Sequence, residues 1–226
     1  MKLHWLLAAC LTFTLSATPT GAATVAEIAY WVPERDAVYI DDGSRVTPLD
    51  LQGRPRWSPD GTMIAAFEHG GPGSQGRGAL VIVDAATRTE LSRRTMYLDD
   101  TPCWVDDDRL VAATSNDDSI VMIDRATGAQ EVIDSGTGDF WAVKDCSADR
   151  VLYQITGFFG SYFVEWRIAD LRTGDIVVAQ LDPESHWEAQ FSPSGGAIAV
   201  QDDAGLGFLS ADGGNYGVAA EGFVHT

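Results

Sequence analysis

Arg56-Trp57-Ser58-Pro59-Asp60-Gly61-Thr62-Met63-Ile64-Ala65-Ala66-Phe67 is the stretch that decides how this chain is read. It reads as a short strand ending at Trp57, a tight turn over Ser58–Gly61 and a return strand over Met63–Phe67. Proline at the second turn position presets φ, and glycine at the end accepts a backbone that a Cβ resists. Asp60 beside an aromatic residue looks at first like a site, so the question is whether the motif stands alone.

It does not. Working outward, apolar strands followed by Asp- or Gly-bearing turns and second strands recur at Val38–Val46, Leu80–Leu91, Ile120–Val132, Trp166–Val177 and Gly207–Val218. Each is a hairpin. Between them lie relatives of the opening motif: Trp104-Val-Asp-Asp-Asp-Arg-Leu-Val111, with the same interval from Trp to the return strand, the shortened Cys146–Leu152, and Phe191-Ser-Pro-Ser-Gly-Gly-Ala-Ile-Ala-Val200. A full unit is then four antiparallel strands, one blade of a β-propeller. Asp60 becomes Asp107 or Ser194 in the copies, which makes it turn chemistry.

Trp-Ser-Pro-Asp-Gly followed by an Ile-Ala strand and an Asp-Ala-Thr hairpin resembles the TolB-like, WD-repeat-like propeller family over nearly the whole chain. The third and fourth units depart from the pattern at the proline. The resemblance implies that the segment ending in Trp is the innermost strand of a blade, which places Trp57, Trp104, Cys146 and Phe191 near the axis. It also implies an interaction module that binds a protein or peptide.

The first unit lacks an inner strand, since Glu27–Val32 matches the second strand of the others. The expectation is five blades, with Gly222–Thr226 closing the ring as the inner strand of blade one; an open arc of a six-bladed ring is the alternative. Closure removes two exposed edges.

Composition sets the bounds. The 226 residues are 45% hydrophobic with 23 Gly and 9 Pro, which suits one all-β domain. A net charge of −18 disfavours nucleic acid, whose phosphates are bound by Lys and Arg. Residues 1–23 read as a signal peptide: Lys2, the apolar run Leu3–Leu15, and small residues that predict cleavage near Ala22 or Ala23. That leaves a domain at 24–226, periplasmic or secreted, monomeric, with no transmembrane segment. Leu7-Ala8-Ala9-Cys10 offers lipidation at Cys10 as the alternative.

Chemistry is sparse. Asp41-Asp42, Asp106–Asp108, Asn116–Asp118 and Asp202-Asp203 are oxygen-rich, but none has the spacing of a Ca²⁺ loop, and turns want the same residues. No cofactor or metal ligand set is therefore assigned. Nucleophilic motifs are missing, so no catalytic residue is named. Glycoside hydrolysis on Asp106, Asp145 and Glu188, with His186 and Trp187 as sugar neighbours, belongs to the rival reading of a lectin-like or hydrolytic carbohydrate-active propeller. Candidate contact residues are Trp57, Trp104, His186 and Trp187 on inner strands, and Phe158, Phe159 and Tyr162 in a Gly-flanked aromatic turn of blade four. Packing within or between blades is the alternative for each aromatic residue. Cys103 sits one residue earlier in its unit than Cys146, so the two point to opposite faces of their blades. That parity suits either a bridge between blades three and four or two thiols pointing apart.

Overall fold

The computed structural model describes residues 27–70, 77–98, 102–136, 140–147, 149–157, 163–179, 181, 186–192, 195–202, 205–214 and 217–221. Those residues form five antiparallel sheets. Blade one has three strands, β1 (Ile28–Val32), β2 (Ala37–Asp41) and β3 (Val46–Leu49), with a 3₁₀ turn at Pro33–Arg35. Blade two is β4 (Arg56–Trp57), β5 (Met63–His69), β6 (Arg77–Asp84) and β7 (Glu90–Tyr97). Blade three is β8 (Cys103–Trp104), β9 (Arg109–Thr114), β10 (Ser119–Asp124) and β11 (Gln130–Ser135). Blade four is β12 (Phe140–Ser147), β13 (Arg150–Gly157), β14 (Phe163–Asp170) and β15 (Ile176–Val178), and blade five is β16 (His186–Phe191), β17 (Ala197–Asp202), β18 (Gly205–Ser210) and β19 (Gly217–Glu221). Strands pair in chain order in every sheet, so each blade is a meander. The chain is a five-bladed propeller, and its first blade lacks an inner strand among the described residues. The segment expected to supply that strand, 222–226, lies outside them, as do residues 1–23, the expected signal peptide.

The opening motif folds as a hydrogen-bonded corner. Ser58 is buried; its N–H donates to Met63 O at 2.9 Å, and its Oγ accepts the Met63 N–H at 2.9 Å. Asp60 Oδ1 takes the Ser58 hydroxyl (2.7 Å) and the Thr62 N–H (2.9 Å), and Gly61 adopts φ 71°. Burial pushes the Asp60 carboxyl up, but these donors outweigh it and hold it below the ordinary carboxylate range. Blade five repeats the corner: Ala197 N–H donates to Ser192 Oγ at 3.1 Å, and Gly195 has φ 67°. Blade three differs from expectation. Trp57 pairs with Ile64, whereas Trp104 pairs with Leu110, so its turn is one residue shorter. Without Ser-Pro and Gly, the Val105 N–H closes directly on Arg109 O at 2.9 Å.

The outer hairpin turns follow one rule. Asp84 Oδ1 accepts the Thr87 N–H and hydroxyl at 2.7 and 2.8 Å, and Asp124 does the same with Thr127 at 2.7 Å for each. Asp170 accepts the Thr173 N–H at 3.0 Å. These donors hold all three carboxyls low. A backbone bond then ties each outer turn to the inner corner of its own blade, at Ala85 to Thr62 (2.8 Å), Arg125 to Asp108 (2.8 Å), Leu171 to Asp149 (2.7 Å) and Ala211 to Gly196 (3.2 Å).

Alternation along the strands gives each inner blade two apolar faces. Ile64, Ala66, Val81 and Val83 pack on Val38, Ile40 and Leu49 of blade one, while Phe67, Leu80 and Ile82 pack on Leu110, Ala112 and Ile123 of blade three. Val111, Ala113 and Ile120 meet Trp141, Val151 and Tyr153 of blade four; Leu152, Trp166 and Ile168 meet Ile198, Val200 and Leu209 of blade five. Each of these four described seams is thus an apolar layer between sheets.

Candidate functional site

The inner strands were the expected place for contact residues, and the structure shows what occupies them. Trp57 is half-buried against the apolar layer of blades one and two. Trp104 is buried between blades two and three, and its indole N–H donates to Arg56 O at 3.0 Å. Both rings therefore fill seams between blades, which is the packing alternative given above. Cys103 of β8 and Cys146 of β12 form a disulfide with Cα atoms 5.9 Å apart, joining the inner strands of blades three and four. Of the two arrangements that their parity allowed, the bridge is the one present.

Asp145, beside Cys146, is more deeply buried than Asp106. Its Oδ2 accepts the Phe191 N–H of blade five at 2.7 Å. Desolvation pushes the carboxyl up, opposed by that N–H and by the charge of Arg56. Asp106 lies instead in the inner corner of blade three, between β8 and β9. There Oδ2 takes the Arg109 guanidinium at 2.6 and 2.7 Å, and Oδ1 takes the Asp108 N–H at 3.0 Å. Burial works upward on Asp106 too, but the Arg109 and Asp108 donors prevail and hold its carboxyl low. One acid is thus an inter-blade acceptor and the other a turn element with its own counterion.

β16 carries His186, Trp187 and Glu188, whose side chains lie outside the description. Phe158, Phe159 and Tyr162 lie wholly outside the described residues. The turn reading of the acidic clusters is visible at Asp42, whose Oδ1 takes the Ser44 N–H, the Ser44 hydroxyl and the Arg45 N–H at 2.9, 2.7 and 2.8 Å. Among the described residues, no three His, Cys, Asp or Glu side chains converge as a metal site.

Two features had no signal in the residue pattern. The first is a polar lock across the seam of blades three and four. Asp134 Oδ2 accepts the Tyr153 hydroxyl at 2.6 Å and the Arg167 guanidinium at 2.8 Å, and Arg167 also holds Glu165 at 2.5 Å. Burial, then the bond to Asp134, pushes the Tyr153 phenol up. The second is a cleft of about 470 Å³ on the blade-one face turned away from blade two, lined by Tyr30, Val32, Glu34, Arg35, Tyr39 and Val46. Tyr30 and Tyr39 stack there at 5.8 Å, and Arg35 donates to the Tyr39 hydroxyl at 3.1 Å.

No family model matches the chain, and no curated protein matches it in sequence. Solved structures do. TolB from Acinetobacter baumannii is 22% identical, with 83% of this chain aligned to 49% of that one at a TM-score of 0.60. The β-propeller domain of the Trilobed protease from Pyrococcus furiosus, with an open velcro topology, is 11% identical and aligns over 87% of this chain and 66% of that one, at 0.60. An oligogalacturonate lyase in complex with manganese is 15% identical and aligns over 87% and 65%, at 0.59. The chain thus spans from half to two thirds of the length of these propellers, and the likeness is one of fold. No helix among the described residues is long and apolar enough to cross a membrane. The resemblance carried by Trp57-Ser-Pro-Asp-Gly61 holds at the level of architecture: this chain has the fold of a TolB-like β-propeller.

Proposed function

We propose that the chain is an exported, non-enzymatic interaction module that holds a protein or peptide partner through its blade loops or the central mouth. The observation that carries this reading is the Cys103–Cys146 bridge, which staples two inner strands within a frame of packed blades. A disulfide of this kind persists in oxidising compartments, in agreement with the leader-like Lys2, Leu3–Leu15 and Ala22-Ala23. A stapled set of packed blades is a rigid carrier for loops, and loops on rigid scaffolds are where binding residues concentrate. The solved neighbours include a lyase and the propeller domain of a protease as well as TolB, so the frame by itself selects none of these activities.

The test uses the chain from residue 24 onward as bait. The expected outcome is saturable capture of one envelope or secreted protein, weakened by Phe158→Ala or Tyr162→Ala at unchanged melting temperature. A glycan array that returns a defined sugar, with binding lost in Phe158→Ala and Trp187→Ala, would replace this reading with the carbohydrate-active one.

A further inference from the structure

Among the described residues, the outermost strand of each blade has one edge with no strand beside it, and such edges are ordinarily guarded. β3 carries Pro48; β7 carries Glu90, Arg93 and Arg94; β11 carries Glu131 and Asp134. β15 is Ile176-Val177-Val178, and all three side chains are exposed, at 38, 38 and 56%. Among the outer strands whose side chains are described, it is the one with neither charge nor proline. Its backbone polarity follows from its neighbours. Asp175 O accepts the Asp170 N–H, and the Ala179 N–H donates to Trp166 O, both at 2.8 Å, so these residues bond inward to β14. Alternation then turns the N–H and C=O groups of Ile176 and Val178 outward. Gly213 of blade five flanks the strand, where a Cβ would meet Val177 and Val178 O at 3.4 Å.

We propose that β15 is a strand-addition site, and that its occupant is an extended, β-branched segment of a partner protein flanked by lysine or arginine. This rests on the interaction-module reading and names the partner's form. Main-chain pairing accounts for the unpaired edge, and the exposed Ile and Val side chains account for the apolar alternation. Charge decides between a partner and a second copy. Asp170, Asp175 and Asp212 outnumber the two cations near the strand, Arg172, 3.6 Å from Asp170, and Arg150, whose charge acts on Asp170 and Asp212. Two chains of net charge −18 repel each other, whereas a cationic strand is drawn in.

The probe is a fluorescent Lys-Val-Thr-Val-Thr-Val-Lys peptide titrated against the chain from residue 24 onward. Saturable binding that weakens as salt is raised is expected. Val178→Pro removes an outward N–H while sparing the inward ladder, and should raise Kd about tenfold. Val178→Lys should weaken binding likewise, by charge repulsion of the probe. Val132→Lys on β11, with a parent side chain 60% exposed, should leave the probe's binding at the parent level. Absence of binding, or equal binding by Val178→Pro at parental melting temperature, would overturn the site. Sedimentation as a dimer that Val178→Lys dissolves would assign the edge to a second copy. If the captured partner still binds Val178→Pro normally, the interaction-module reading stands and only this site falls.

Discussion

At the scale of single residues, Arg88 is the outlier. In blades three and four the residue four positions after the turn aspartate is Gly128 or Gly174, with φ 75° and 78°. Blade two places Arg88 there at φ 63°, where a Cβ costs about 1 kcal/mol. The side chain offsets this cost by reaching Glu27 ahead of β1, with contacts of 3.0 and 3.2 Å, and the Ala85 carbonyl. Arg88→Ala keeps the left-handed cost and loses the tie to blade one, so it should destabilise by about 1–2 kcal/mol. Arg88→Gly loses the same tie but relieves the backbone, and should come out about 1 kcal/mol more stable than Arg88→Ala in urea unfolding. Equal stability of the two variants would remove the strain argument. Gly128 has a second reason to be glycine, because a Cβ would lie 3.0 Å from Arg94 Cδ, whose guanidinium caps Thr127 O at 2.8 Å.

At the scale of elements, the strands and corners were legible in the sequence because their causes are local. Pro59, Gly61, Gly195 and the Asp-x-x-Thr turns each act within a few residues of themselves. Contacts across seams were not legible: Asp134, Tyr153 and Arg167 sit on three strands of two blades, and no spacing marks them as partners. For the cysteines, parity narrowed the outcomes to two, and the crowding of β8 against β12 settled it. The seam lock gives a prediction. Tyr153→Phe leaves Asp134 its Arg167 contact, and should cost about 1 kcal/mol. Asp134→Ala strips both donors of a shared acceptor and should cost about 2–3 kcal/mol. Similar small losses in both would show that Tyr153 and Arg167 find other partners. Asp145 gives another, with the sign set by its raised pKa. The folded state binds this proton more readily than the unfolded chain, so its contribution is fully present below the ordinary value of 3.8 and is lost as pH rises through the raised one. Asp145→Asn, whose amide oxygen can still accept the Phe191 N–H, should be as stable as the parent or more so at pH 7, and less stable relative to it at pH 3. Chemical unfolding at both pH values checks this; the opposite order would mean that the Arg56 charge outweighs burial.

At the scale of the molecule, every described seam has an apolar layer and a specific tie across it. Glu27–Arg88 joins blades one and two; Trp104 to Arg56 O, and the Asp60 N–H to Asp107 at 3.1 Å, join two and three. Asp145 to Phe191, and Arg150 to Gly195 O at 3.3 Å, join four and five. Among the described seams, only the one between blades three and four has a covalent tie, and it also has the Asp134 lock. A net charge of −18 strains the packed blades by self-repulsion, so the bridge holds against a force that salt relieves. With the cysteines 43 positions apart in sequence, loop-closure entropy assigns the bridge about 4 kcal/mol. The Cys103→Ala/Cys146→Ala variant should therefore lose several kcal/mol in urea at low ionic strength, and regain part of its stability in about 0.5 M salt as exposed like charges are screened. The parent should show a smaller salt response, because its unfolded state is already held compact by the bridge. Intact mass with and without reductant establishes the bridge first. If reduction then shifts the urea midpoint by less than the error of the fit, the seam is held by its packing and the Asp134 lock, and the disulfide is a marker of compartment alone.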